Sequence, residues 1–257
     1  MTRVPLPDSF LRLPITHRGY HDLSRGIVEN SLSAFTAAID AGYGIELDIQ
    51  LSSDGEAVVF HDDTLDRVAE ATGLVIARTA RELGAIRLKH STDTIPTFAE
   101  TLALVRGRAP LLVELKDQSG DMSSTDGRLE AATVAALKGY QGPVALMSFN
   151  PHTVARLAEI APNLPRGIVT CSWGEEDEAL VGHAKCARLR AIPDYDPTQS
   201  SFISHELADL NRPRVAELKA QGATLLTWTV RSPADEARAR RIVDNITFEG
   251  YPAPLPA

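Results

Sequence analysis

An alternation along the chain constrains its fold more than any other feature. Eight short β-rich runs, at 13–17, 44–51, 110–116, 143–149, 166–172, 201–205, 223–230 and 244–248, are separated by stretches with helical spacing of apolar residues. A strand followed by a helix returns parallel to the previous strand, with the helices covering the sheet's outer face. Eight such units are enough to close a (β/α)8 TIM-type barrel, and 257 residues suit one barrel of that kind. An added run at 57–61 follows the turn Ser53–Asp54–Gly55 and is expected to pair back on the second strand. The stretch 57–97 exceeds a plain connection, so the chain reads as a single catalytic barrel domain over 1–257 with a small insertion after the second strand.

The helices carry their own signals. Leu32, Phe35 and Ile39 share one face, with Asn30 as N-cap and Gly42 as C-cap. Pro151 occupies a tolerated first helical position. Later helices are expected at 176–189, 214–220 and 234–242. A doubly wound sheet would need a glycine-rich loop after its first strand. The residues there are His17–Arg18–Gly19–Tyr20–His21–Asp22, without that spacing.

Composition narrows the function classes. Acidic residues outnumber basic ones, 34 to 26, for a net charge of −8, which argues against a nucleic-acid partner. A phosphorylated small molecule remains open, because a few local cations suffice. Two cysteines, Cys171 and Cys186, make neither a disulfide framework nor a zinc site and read as small buried hydrophobes. The start, MTRVPLPDSFLRLP, lacks the apolar run of a signal peptide, and no stretch of 18 apolar residues occurs. A cytoplasmic protein without stable membrane anchoring is expected.

The chemistry gathers where strands end. Glu46 and Asp48 lie two apart on the second strand, so their side chains share a face; Glu114 and Lys116 repeat the spacing on the third. The apolar neighbours Ile45, Leu47, Ile49, Val113 and Leu115 take the helix-covered side, which turns three carboxylates inward. Buried like charges are costly unless neutralised. Salt bridges to Arg18 and Lys116 are one remedy. A divalent cation is the other, and oxygen donors favour Mg²⁺ or Ca²⁺ over zinc. His17 and His61 end neighbouring runs beside these carboxylates and suit acid–base work near neutral pH. Arg18 presents a planar fork for a phosphate.

Taken in order, His17–Arg18–Gly19, Glu29–Asn30, Glu46–Leu47–Asp48, His61–Asp62 and Glu114–Leu115–Lys116 resemble the glycerophosphodiester phosphodiesterase family. Ser148–Phe149 and Trp228–Thr229–Val230 extend the resemblance over about 13–252. It implies metal-dependent hydrolysis of glycerophosphodiesters to sn-glycerol 3-phosphate and an alcohol. Glu46, Asp48 and Glu114 match the metal carboxylates, and His17 and His61 the general acid and base. Arg18 and Lys116 match phosphate-holding residues, and Glu29 a polar residue near the site. Asn30 matches its structural neighbour, and Phe149 and Trp228 match pocket-lining aromatics that could equally be barrel filling.

Three departures stand out. Val28 replaces a frequent Pro, Arg231 a frequent Asn, and Thr247–Phe248–Glu249 a frequent Thr–Asp ending. The last two fall where the alcohol would bind. His205 also ends a strand and is expected near the pocket, whereas His21, His90, His152 and His183 read as surface or structural. A zinc amidohydrolase would need His–x–His after the first strand, where Gly19 stands instead. A lysophospholipase D-like or other phosphodiester-cleaving barrel, or a non-catalytic barrel that binds phosphorylated ligands or a protein partner, are the remaining alternatives.

Overall fold

A computed structural model describes residues 3–256. Eight parallel strands close a barrel: β1 (Ile15–Thr16), β2 (Gly44–Leu51), β4 (Leu111–Leu115), β5 (Val144–Ser148), β6 (Arg166–Thr170), β7 (Phe202–Glu206), β8 (Thr224–Val230) and β9 (Asn245–Phe248). Closure is made by β1, which pairs with both β2 and β9. The short β3 (Ala57–Val59) lies antiparallel on β2, with Leu51 opposite Ala57, as the turn at 53–55 predicts.

The period-2 pattern sets the two faces of each strand. Ile45, Leu47, Ile49, Val113, Leu115 and Leu146 pack outward with Phe35 of α2 (Leu32–Ala41) and with Phe98, Leu102 and Val105 of α4 (Phe98–Val105). Burying each such side chain contributes roughly 1.5–3 kcal/mol. Inside the barrel, Ile15, Leu112, Ala145, Met147, Val169, Phe202 and Leu226 form a second core. Gly167 on β6 is a packing requirement there, since a Cβ on it would lie 2.4 Å from the Phe202 ring. The barrel's lower end is covered by α1 (Ser9–Arg12), tied on by Asn245, whose Nδ2 donates to Phe10 O at 2.7 Å and Leu13 O at 2.6 Å.

The insertion has its own small core of Val58, Phe60, Leu65, Val68, Leu83 and Ile95. Its one α-helix is α3 (Ala80–Leu83). Val28, one of the sequence departures, is 2% exposed in this core, so a branched apolar side chain ties the insertion to the barrel.

Some boundaries differ from the sequence reading. Ser31, not Asn30, caps α2: its hydroxyl accepts from Ala34 N at 3.1 Å, while Asn30 is drawn into the barrel mouth. The helix expected over 176–189 is two, α7 (Glu175–Val181) and α8 (His183–Arg190), broken at Gly182 where φ is +94°. Pro151 does open its helix, here α6 (Pro151–Ile160), and prolines also begin α9 (Pro213–Ala220) and α10 (Pro233–Ala239); α5 (Arg128–Ala136) has none. Cys171 and Cys186 are free, and burial raises the Cys171 thiol to about 12, so both stay protonated packing groups.

Candidate active site

The site begins with the turn after β1. Arg18 and Gly19 both take left-handed conformations, with φ of 55° and 80°. Glycine is required at 19, because a Cβ would lie 2.8 Å from the Ala34 Cβ. The turn aims His17 and Arg18 across the mouth and lets Arg18 N donate to Glu46 Oε2 at 2.9 Å. Strand β2 supplies Glu46 and Asp48, and its register sets Asp48 beside Glu114 on β4. All three carboxylates are buried, and one ligand oxygen from each lies within 4.8 Å of the others.

Cations surround this acidic cluster unevenly. Lys116 Nζ donates to Glu114 at 2.7 Å and stands 3.6 Å from Asp48. Arg18 Nε is 3.5 Å from Asp48, and its Nη1 donates to Glu29 at 2.8 Å. Asn30 completes the Asp48 shell, with Nδ2 donating to Oδ2 at 2.9 Å. Burial works to raise the Asp48 carboxyl; Lys116, His61, Arg18 and the Asn30 bond overcome it and hold the group well below the carboxylate range. Burial would likewise lower Lys116, but Glu114 and Asp48 keep it above its ordinary value. Glu46 fares differently. Burial, then the charges of Asp48 and Glu114, push it well above the usual range. One carboxylate of three thus lacks an adequate counter-charge. That deficit, with an all-oxygen donor set, fits a divalent metal.

Each histidine is held from behind by a carboxylate. His17 Nδ1 lies 2.6 Å from Glu249 Oε2, and His61 Nδ1 lies 2.6 Å from Asp62 Oδ1. Burial lowers the His17 pKa, while Glu249 pulls it partly back. Both carboxylates stay ionised: against burial, His17 and His21 hold Glu249 low, and His61 and Arg67 hold Asp62 low. Arg67, from the insertion, donates to Asp62 at 2.7 Å and to Glu29 at 2.7 and 2.8 Å, linking His61's support to Arg18's.

The residues enclose a cavity of about 130 Å³ lined by His17, Arg18, Glu46, Asp48, His61, Glu114, Lys116, Phe149 and Trp228, among others. Phe149 meets Trp228 edge to face at 5.5 Å and Trp173 at 5.7 Å, while Trp228 Nε1 donates to Ser204 O at 3.1 Å. Beside it lies a cavity of about 360 Å³ between Leu74–Ile76 of the insertion and the loop after β4.

Of the residues singled out in the sequence, Glu29 does not line the cavity; it braces Arg18 and Arg67. His205 is not near the pocket as expected. It is fully buried against Thr170 Oγ1 and Asp209, on the opposite face of β7 from Ser204. Sequence reasoning missed Arg67, for which no motif speaks. It also missed Glu249, noted only as a departure, whose place one residue past β9 was the available signal.

The model of the glycerophosphoryl diester phosphodiesterase family matches residues 17–247. The chain is 36% identical over 227 residues to a glycerophosphodiester phosphodiesterase of Bacillus altitudinis, covering 84% of this chain and 85% of that one. It is 33% identical over 166 residues to one from Caldanaerobacter subterraneus subsp. tengcongensis, covering 61% of this chain and 66% of that protein's length. In fold it is similar to a phosphodiesterase of Oleispira antarctica, solved with the product sn-glycerol-3-phosphate, with TM-score 0.76, 24% identity and 93% and 94% of the two chains covered. A family match across nearly the whole barrel, over a mouth that gathers the motif residues into one cavity, establishes that the chain belongs to the glycerophosphoryl diester phosphodiesterase family.

Proposed function

We propose that this chain hydrolyses glycerophosphodiesters to sn-glycerol 3-phosphate and an alcohol, using Mg²⁺ or Ca²⁺ held by Glu46, Asp48 and Glu114. The observation that carries the reading is the convergence of those carboxylates with His17, His61, Arg18 and Lys116 on one cavity. Glu46, Asp48 and Glu114 would hold the cation, which would supply Lewis-acid chemistry toward the phosphate. Arg18 and Lys116 bind the phosphoryl oxygens and stabilise the charge that builds on them. Ionised Glu249 and Asp62 only accept, so the Nδ1 atoms of His17 and His61 carry protons and their Nε2 atoms remain for the substrate. One imidazole takes the proton of the attacking oxygen, from water or from the glycerol hydroxyl, and the other protonates the leaving alkoxide as its P–O bond breaks. A cyclic phosphate formed by the glycerol hydroxyl is then opened by water to sn-glycerol 3-phosphate. Phe149 and Trp228 wall the cavity.

The substrate class is a small phosphodiester. Residues 1–257 act as one catalytic unit, with the insertion at 57–97 bracing the mouth through Arg67. Among the described residues no helix is long and apolar enough to cross a membrane. The free thiols of Cys171 and Cys186 suit a reducing compartment, and the cytoplasm is the setting we propose.

The test is release of sn-glycerol 3-phosphate from glycerophosphocholine, glycerophosphoethanolamine and lysophospholipids, after chelation and then with Mg²⁺ or Ca²⁺ restored. Cation-dependent release from the soluble diesters is expected. Turnover that survives exhaustive chelation, or none on any glycerol diester, would contradict the proposal.

A further inference from the structure

Five buried side-chain polar atoms lack a hydrogen-bond partner among the described residues: Arg18 Nε, Glu130 Oε1, Trp173 Nε1, Ser204 Oγ and Thr247 Oγ1. Three of the five, on Arg18, Ser204 and Thr247, belong to residues lining the catalytic cavity. Leaving a buried hydroxyl unpaired is costly. A wall that concentrates such atoms is built to meet something polar.

Strand register gives the depth of the two hydroxyls. Ser204 pairs with Leu226, whereas Trp228 pairs with Glu206, so Ser204 lies two residues below the aromatic wall. Thr247 pairs with Ile15, two residues before His17. Two residues of strand correspond to about 7 Å. Ser204 and Thr247 are 0% and 1% exposed, from β7 and β9 across β8. Met147 and Val169 supply apolar surface in the same lining. The register partners of Ser204 and Thr247, Leu226 and Ile15, with Leu112 and Phe202, fill the barrel interior with apolar side chains. The result is a small cup with an apolar body and two free hydroxyls.

Resting on the function proposed above, we propose that Ser204 and Thr247 form a polyol subsite that recognises the free hydroxyls of the substrate's glycerol. Three properties select that occupant. A hydroxyl both donates and accepts, which matches a neutral alcohol, whereas the phosphate is met by Arg18 and Lys116. The two hydroxyls line one catalytic cavity of about 130 Å³, which has room only for a small group, and glycerol is the constant half of the substrate class. The apolar surface of Met147 and Val169 suits the C–H edge of a three-carbon polyol. The variable alcohol is left to the opening beyond Phe149 and Trp228. The same arrangement explains why the hydroxyls stay free: any partner within the protein would occupy the subsite.

The experiment compares Ser204→Ala, Thr247→Val, the double variant and Thr247→Ser with the wild type. Each is assayed on glycerophosphocholine and on bis(p-nitrophenyl) phosphate, which carries no glycerol, and binding of sn-glycerol 3-phosphate and inorganic phosphate is measured by calorimetry. The kcat/KM ratio of the glycerol diester to the nitrophenyl diester should fall roughly tenfold for each hydroxyl removed, the size of one hydrogen bond of about 1.4 kcal/mol. Affinity for glycerol 3-phosphate should fall relative to phosphate. Thr247→Ser, which keeps the hydroxyl, should preserve both ratios. Melting temperatures should hold or rise, because an unpaired buried group is removed. Unchanged ratios in the double variant would overturn the subsite alone, as would lower melting temperatures with unchanged ratios, the signature of a structural buried water. A wild type inactive on glycerophosphocholine yet active on the nitrophenyl diester would overturn the proposed function and the subsite with it.

Discussion

His17 Nδ1 and Glu249 Oε2 lie 2.6 Å apart, and the other oxygen of that carboxylate accepts from Arg231 Nε at 2.8 Å. The two sequence departures on the last strands are therefore partners, and together they orient an imidazole of the barrel mouth. Glu249→Ala should cost on the order of 10²-fold in kcat with little change in KM, the size of one acid–base contribution. Glu249→Asp, which keeps an acceptor, should recover part of that loss. Steady-state kinetics on glycerophosphocholine checks both; an Ala variant with full kcat would show that Glu249 does not position His17.

The pH behaviour follows from the same pair. Burial lowers His17 below its ordinary 6.5. Above 6.5 the folded and unfolded states both leave it neutral. As pH falls from 6.5 toward the folded value, the unfolded chain takes up a proton that the folded site refuses, so His17 lowers stability through that window and then levels off. Where His17 is the base, activity needs its neutral ring and the acid limb of kcat/KM has its midpoint below 6.5; where it is the acid, the alkaline limb does. Because Glu249 raises His17, Glu249→Gln should move that midpoint lower still. A shift upward would show that the sign of the coupling is wrong.

The acidic cluster predicts how cation binding couples to stability. Glu46 is pushed up by burial and by Asp48 and Glu114, and Glu46→Gln relieves that repulsion at little change of shape. The variant should match or exceed the cation-free wild type in melting temperature. It should also lose the rise produced by Mg²⁺ or Ca²⁺, which for a ligand at 100 times its Kd corresponds to about 2.7 kcal/mol. Activity should be lost with it. Calorimetric scans with and without cation decide the matter, and an undiminished cation-induced rise would place the metal elsewhere.

The interior packing gives a purely structural prediction. Gly167→Ala drives a methyl group into the Phe202 ring. Overpacking of this kind costs about 1–3 kcal/mol, and at this chain size each kcal/mol lowers Tm by roughly 2–4 °C. A thermal melt that left Tm unchanged would mean that the ring moves aside freely.

The barrel was legible because its signals are local. Glu46 and Asp48 alternate with Ile45, Leu47 and Ile49 on one strand, so a period of two divides the faces without tertiary information. The turn at 53–55 announced β3 in the same way. What stayed hidden depends on distant partners. Glu249 meets His17 across a separation of 232 residues, and Arg67 joins Asp62 to Glu29 only once the insertion folds over the mouth. Asn30 looked like a cap because its residue type suits one, yet an acceptor at Asp48 competes for its amide and Ser31 takes the helix end. His205 ends its strand as His17 and His61 do, but its side chain faces the opposite side of the sheet from Ser204, a consequence of register.

The measurement that bears most directly on the account is the turnover of glycerophosphocholine by His17→Ala and His61→Ala, read beside their melting temperatures. Both side chains line the cavity with their Nδ1 atoms held by Glu249 and Asp62. Each substitution should lower kcat by at least about 10²-fold, with the cation-bound melting temperature nearly unchanged. Two variants that fold and keep near-normal turnover would contradict the assignment of this mouth as the catalytic centre.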